Sequence, residues 1–458
     1  MAEIRKRNKA LAVNPLKASS TLGAALAFLG LDRAIPMLHG SQGCTAFGKV
    51  FLVRHFREPI PLQTTAIDQV SAIMGGDEQL VEGLCTLCAK SAPALIGIPT
   101  TGLVETQGAD VERGIRTFRA AHPEHADTAV VAVATPDYCG SLESGYAAAV
   151  RALIDALVPS GEPRRAARRS RRVNVLAGAH LTPGDLEHLK TLIAAFELEA
   201  LVLPDLSGSL DGHLPTADYS ALTTGGTPIG AFAELGGAAA TLVIGDALGE
   251  AADLLAERTG VPDHRFTHLL GIEAVDQLML TLSAIAERPV PAAIERQREQ
   301  LQDAMLDSHF MLGMTRVAIA ADPDLLVGWT ELLAGVGAET VAAVAPSNAP
   351  VLARARCAEV RIGDLEDLER QAGAAHAELL VANAHGVQSA ARLGIPLLRA
   401  GFPQFDRLGG FRRTWIGYQG TRDTLFELAN LLLELERGEI HPYRSRLKQW
   451  PEHERTAA

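Results

Sequence analysis

At 458 residues the chain is too long for a single hydrophobic core, since cores stop growing beyond about 250–300 residues, and it implies roughly three domains. It is 47% hydrophobic and 21% charged, which excludes a disordered or low-complexity protein. Its 54 acidic and 42 basic side chains leave a net charge of −12, which argues against a nucleic-acid or anionic-membrane binder, because both need a basic face.

The chain opens Met1-Ala2-Glu3-Ile4-Arg5-Lys6-Arg7 with no apolar signal-peptide core. Apolar stretches such as 236–245 fall short of the roughly twenty residues a bilayer requires. Five cysteines, an odd number at irregular spacings, do not form a disulfide framework. They fit a reducing cytosol, and the expectation is a soluble, cytoplasmic protein.

In chain order, the first dense segment is Pro36-Met37-Leu38-His39-Gly40-Ser41-Gln42-Gly43-Cys44. Two glycines precede one cysteine, and apolar residues recur at Ala46, Phe47, Val50 and Phe51. The pattern reads as a tight loop delivering a thiolate to a helix start, where glycine admits close backbone approach and the helix N-terminus favours the anion. Such an environment suits an iron–sulfur cluster; it equally suits a buried loop cysteine. Gly43, Gly48 and Lys49 nearly spell a phosphate loop, but Val50 stands where a magnesium-binding hydroxyl is needed, and Pro36 interrupts the strand that should lead into it. Arg54-His55-Phe56-Arg57-Glu58-Pro59 reads as a solvated helix end or a charged contact surface.

Cys85 and Cys88 fall with Leu80, Val81, Leu84 and Leu87 on the apolar face of a helix, which favours buried structural thiols. Strands are expected at 94–98 and 129–133, with Cys139 beyond the carboxyl end of the second, where ligands often sit. Pro159-Ser160-Gly161-Glu162-Pro163 and the arginine run Arg164 to Arg172 then read as a solvated linker or a patch for an acidic partner. Val173 to Gly178, a helix capped by Thr182 and started by Pro183, and Ala200 to Leu203 form a βαβ unit.

A strand at 241–244 and a long polar helix from Pro291 to about Met311 follow. A second βαβ unit spans Arg316 to Ala321, Asp324 to Gly337 and Thr340 to Ala345, with further strands at 378–382 and 395–399. Cys357 reads as packing. His39, His180 and His385 stand beside glycines at expected strand ends. The fold class is α/β: three Rossmann-like domains with mainly parallel sheets flanked by helices, at 1–163, 164–305 and 306–458, the last with a C-terminal helix. No Gly-x-Gly-x-x-Gly follows a strand, so a nucleotide-dependent enzyme lacks its signature.

Asn14-Pro15-Leu16-Lys17, Leu22-Gly23-Ala24, His39 to Cys44, and Arg54 to Pro59 together resemble the nitrogenase component 1 family. Asp303-Ala304-Met305, Asp307-Ser308-His309, Arg316-Val317-Ala318-Ile319, Gly401-Phe402-Pro403, Phe405-Asp406-Arg407, Gly417-Tyr418 and Gly420 extend the resemblance over nearly the whole chain. Within the family it is most similar to N-type subunits of the iron–molybdenum cofactor assembly scaffold. In the related molybdenum–iron protein β subunit, three cysteines hold half of an eight-iron cluster. The first corresponds to Cys44; at the other two this chain has Pro61-Leu62 and, after Thr100-Thr101, Gly102.

The resemblance therefore implies a 4Fe-4S cluster shared across a subunit interface, with Cys44 as this chain's ligand and His39, Gly40, Ser41, Gln42 and Gly43 as its loop. It implies an α2β2 heterotetramer with an E-type subunit, which holds most of the iron–molybdenum cofactor precursor. Further implied partners are the nitrogenase iron protein, the B-type protein that supplies the precursor, and the apo molybdenum–iron protein that receives the product. Arg54, His55, Arg57 and Glu58 are candidate interface residues. The implied role is a biosynthetic scaffold without turnover of its own. The alternative is an electron-transferring subunit like the molybdenum–iron protein β subunit or protochlorophyllide reductase.

Overall fold

The computed structural model describes residues 1–7, 14–160, 170–214 and 220–436. Three sheets carry the fold, and every strand pairing within them is parallel. The first runs Gln63–Thr64, Ala34–Leu38, Leu95–Pro99, Ala129–Val133 across its width. The second runs Glu199–Leu203, Arg172–Ala177, Ala240–Ile244, Asp263–Phe266. The third has six strands: Glu3–Lys6, Glu359–Ile362, Glu339–Ala345, Arg316–Ala320, Leu379–Ala382 and Leu397–Arg399. Parallel sheets need helical crossovers that cover both faces, which is why the central strands read as unbroken apolar runs.

Both βαβ units form where the sequence places them. Thr182 and Asp185 make a reciprocal cap at the start of helix Pro183–Ala195, and strand Arg172–Ala177 pairs in register with Glu199–Leu203. Arg316–Ala320, Pro323–Gly335 and Glu339–Ala345 form the second unit, and the long polar helix spans Ala292–Leu312. Pro36, expected to break its strand, lies inside Ala34–Leu38. Residues 34–36 pair only with Leu95–Gly97, and the ladder to Gln63–Thr64 starts at Met37, so the residue without an N–H falls where the strand has a neighbour on one side.

Helix Ser20–Leu29 is buried all round and fixes the position of the first sheet's loops. It meets helix Leu142–Leu157 through two glycines: a Cβ on Gly23 would lie 1.9 Å from the Leu142 carbonyl oxygen, and one on Gly145 would lie 1.9 Å from the Ser20 carbonyl oxygen. Any larger residue would force the helices apart.

The three sheets are joined at a buried acidic node. Glu143, in the first turn of Leu142–Leu157, accepts a hydrogen bond from the Asp324 amide at 3.0 Å, and Asp324 accepts one from the Ala247 amide at 3.2 Å. Burial, and for Glu143 the charge of Asp324, pushes the carboxyls of Glu143, Asp322 and Asp324 upward, Asp324 to about 7. The folded chain thus binds these protons more tightly than the unfolded chain, where carboxyls titrate at about 4. Their contribution to stability is present at low pH and is lost as pH rises from about 4 through 7. Replacing Glu143 with Gln keeps the acceptor and removes a buried charge, so Glu143→Gln should gain stability over the parent at pH 8 and much less at pH 5. Urea midpoints of both proteins at the two pH values check this, and an equal effect at both would contradict it.

Candidate functional site around Cys44

Strand Ala34–Leu38 ends in His39, which bridges to Thr100 at the end of the adjacent strand. The Thr101 amide donates to the His39 carbonyl at 3.1 Å. Gly40 follows at a point where a Cβ would lie 2.2 Å from Thr101 Oγ1, so only glycine fits. Ser41 then takes the cap position of helix Gln42–Phe56, without a side-chain cap bond, and Cys44 falls in the first turn. The local structure is therefore a strand, a two-residue turn and a helix start, which is the arrangement the glycine spacing implied.

Cys44 is exposed, with Ser41 Oγ 3.4 Å from its sulfur. Gln42 and Gly43 are exposed beside it, and a Cβ at Gly43 would meet nothing within 4 Å. His39 is buried, its Nδ1 3.0 Å from Thr65 Oγ1, and burial lowers its pKa to about 4, so it is neutral and braces the turn. A cavity of about 320 Å³ opens next to Cys44. Its polar lining includes Lys17, Ser19, Thr21, Thr101, Asp137 and His385, and its apolar walls include Phe47, Phe51 and Phe402. Phe47, which lines it, is 74% exposed; Val50 is exposed one turn further along the same helix, Leu103 and Tyr138 are exposed next to Gly102 and Asp137, and Val70 and Ile73 (84%) are exposed on helix Gln69–Met74, which packs on Gly102–Gln107. Apolar groups of that size gathered around one spot mark an interaction surface.

The other two positions of interest hold no donor. Leu62 is packed in the core, and Gly102 starts the short helix Gly102–Gln107 beside Asp137 and Tyr138. Among the described residues, which include all five cysteines, no group of three or more His, Cys, Asp and Glu side chains is gathered to hold a metal ion. Cys44 fits an iron–sulfur ligand in exposure, donor type and adjacent space, and it brings no second thiol with it.

The cluster Arg54 to Glu58 divides. Arg54 stacks over the Phe405 ring at 4.2 Å, and Arg57 donates to the Phe405 carbonyl at 2.6 Å, so both exposed arginines tie the helix to the segment after the third sheet. His55 does not face outward. It is buried among Phe56, Phe402 and Phe411, accepts from the Gln404 amide at 2.9 Å, and burial lowers its pKa to about 3. Glu58 is half-buried, and burial pushes its carboxyl upward.

Cys88 is buried on the inner face of helix Asp77–Ser91, where burial raises its pKa, while Cys85 is partly exposed with His122 Nδ1 4.0 Å from its sulfur. Cys139 is exposed, and Cys357 is half-buried with its pKa raised to about 11 by burial. His180 is half-buried, its two ring nitrogens buried and without hydrogen-bond partners, and His385 lines the Cys44 cavity. Arg164 to Arg169 lie outside the described residues; Arg171 pairs with Glu197 at 3.3 Å, and Arg172 pairs with Glu234 and Glu199. Asp137 is a lining residue that the sequence did not single out, because it lies beyond a strand end with no spacing to mark it, and Lys17 entered only as part of the Asn14 to Lys17 motif.

The sequence pattern of the family described as Nitrogenase component 1 type Oxidoreductase matches residues 19–433. The chain belongs to the nitrogenase component 1 family. Among its relatives, the nitrogenase iron-molybdenum cofactor biosynthesis protein NifN of Klebsiella pneumoniae is 45% identical over 452 residues, covering 99% of this chain and 97% of that one. The protein of the same name from Nostoc sp. is 43% identical over 440 residues, covering 96% and 97%. A solved structure titled Nitrogenase Cp1 at pH 6.5 superposes with a TM-score of 0.88 at 29% identity, covering 95% of this chain and 96% of that one. The three-sheet architecture is thus that of the nitrogenase component 1 family. No helix among the described residues is long and apolar enough to cross a membrane.

Thiol accessibility follows from the burial pattern. In the isolated chain Cys44 and Cys139 should alkylate with maleimide first, and Cys88 only on unfolding. Peptide mass mapping over a labelling time course checks the order; early labelling of Cys88 ahead of Cys44 would contradict it.

Proposed function

We propose that the chain is a subunit of the scaffold on which the iron–molybdenum cofactor precursor is matured, by insertion of molybdenum and homocitrate, before transfer to apo-nitrogenase. The relatives named for that biosynthesis match it over nearly their full length. The observation that carries the reading is the exposed thiol of Cys44 beside exposed Phe47, with non-ligating Leu62 and Gly102 at the other two positions. A four-iron cluster takes four protein ligands, so a cluster at Cys44 draws about three from elsewhere. An E-type subunit seated on Phe47, Val50, Ile73 and Tyr138 would supply them and bury the rim.

This chain's residues then have defined tasks. Cys44 holds iron, and Gly40 and His39 set the direction of its helix against Thr101 and Thr65. When bound, an iron–sulfur cluster supplies one-electron transfer and a covalent tie between subunits. Exclusion of water falls to the apolar rim. The precursor rests mainly with the E-type partner. Leu306 and Phe310, one turn apart near the end of helix Ala292–Leu312, and Met314 just beyond it are also exposed, and they suit contact with a second copy of this chain in an α2β2 assembly. An electron-transferring subunit with an eight-iron cluster fits less well, because Leu62 and Gly102 cannot ligate iron.

Iron and sulfide analysis of the complex co-expressed with its partner tests this reading. Cys44→Ala should lose the interfacial cluster, whereas Cys85→Ala and Cys88→Ala should keep wild-type iron. The chain expressed alone should hold little iron. Full cluster iron in the Cys44 variant would overturn the reading.

A further inference from the structure

The geometry points to Asp137 as the residue of this chain that sets the reduction potential of a cluster held by Cys44; the inference rests on the reading of Cys44 given above. Asp137 lies in the loop that follows strand Ala129–Val133, far from Cys44 in sequence, yet both line the same cavity. Among the described residues it is the one carboxylate in that lining.

Asp137 is exposed in the isolated chain, and its carboxylate is held on one side. Thr21, a buried residue of helix Ser20–Leu29, holds its hydroxyl 2.8 Å from Asp137 Oδ1. On the other side stands Gly102, whose added Cβ would lie 3.6 Å from both Asp137 Oδ2 and the Asp137 amide. With no side chain at 102, the second carboxylate oxygen faces open space. Among the described residues no hydrogen-bond donor pairs with it.

The other ionisable groups facing the cavity are Lys17 and His385. Lys17 Nζ donates to the Asp137 backbone carbonyl at 3.3 Å, so its charge is engaged beside the carboxylate without pairing to it. The walls are otherwise largely apolar, with Leu22, Leu38, Phe47, Phe51 and Phe402. Once a partner covers the rim, charges inside act through a lower dielectric than at a free surface.

Reduction adds one electron to a cluster that is already anionic with its thiolates. A fixed carboxylate nearby raises the free energy of the reduced state more than that of the oxidised state, and so holds the potential down. Asp137 is on this account a positioning residue for charge, distinct from the ligand Cys44.

The test is a dithionite titration, followed by electron paramagnetic resonance, of the complex purified with its partner. Wild type, Asp137→Asn and Asp137→Glu are compared, each with iron content measured. Asparagine keeps the shape and the acceptor for Thr21 while removing the charge. The expected result is unchanged iron, a midpoint higher by about 59 mV in Asp137→Asn, equivalent to a tenfold shift in the reduced-to-oxidised ratio of a one-electron couple, and a near-wild-type midpoint in Asp137→Glu. An Asp137→Asn complex with full iron and the wild-type midpoint would overturn the role of Asp137 alone. A wild-type complex without cluster iron would remove the reading of Cys44, and this inference with it.

Discussion

Gly40 and Thr101 approach so closely that no side chain can stand between them. That contact locks the turn after the first strand to the turn after its neighbour. It fixes where helix Gln42–Phe56 begins and therefore where the Cys44 sulfur emerges. The same neighbouring turn carries Gly102, and the next strand end carries Asp137. Three successive strand ends of one parallel sheet thus converge on a single cavity, which is where open α/β sheets gather ligand-binding groups.

Behind this surface the packing is dense and apolar. Helix Ser20–Leu29 is buried on every side and contributes Thr21 to the Asp137 carboxylate and Gly23 to the glycine contact with helix Leu142–Leu157. That second helix carries Glu143 in its first turn, in the acidic node where all three sheets meet. The surface site and the junction of the sheets are therefore ends of one rigid assembly. The apolar rim around Cys44 is the exception, because its large side chains have no cover within the chain.

Much of the fold is legible in the sequence where a short-range signal exists. The Thr182–Pro183–Asp185 start and the apolar run after Val173 locate a βαβ unit to within a residue or two at each end. The strands that sequence reading passes over are short or charged: the edges Glu3–Lys6, Gln63–Thr64 and Asp263–Phe266, and Glu359–Ile362 next to the first of them. Glu3–Lys6 pairs with Glu359–Ile362 across most of the chain, a partner that no local pattern names. Cys44 is legible because glycine spacing and a helix start lie within a few residues of it. His55 is misread as a surface group because its neighbours Arg54 and Arg57 are charged, whereas its own ring is enclosed by Phe402 and Phe411 from distant segments. Asp137 escapes notice for the same reason: only the packed structure sets it beside Cys44 and Gly102.

The most direct measurement is an electron cryo-microscopy map of the chain assembled with its cluster-bearing partner. The account predicts the Cys44 sulfur bonded to iron at the subunit seam, with the remaining ligands from the partner and Phe47 and Ile73 buried against it. A cluster held entirely by the partner, with the Cys44 sulfur bonded to nothing, would contradict it.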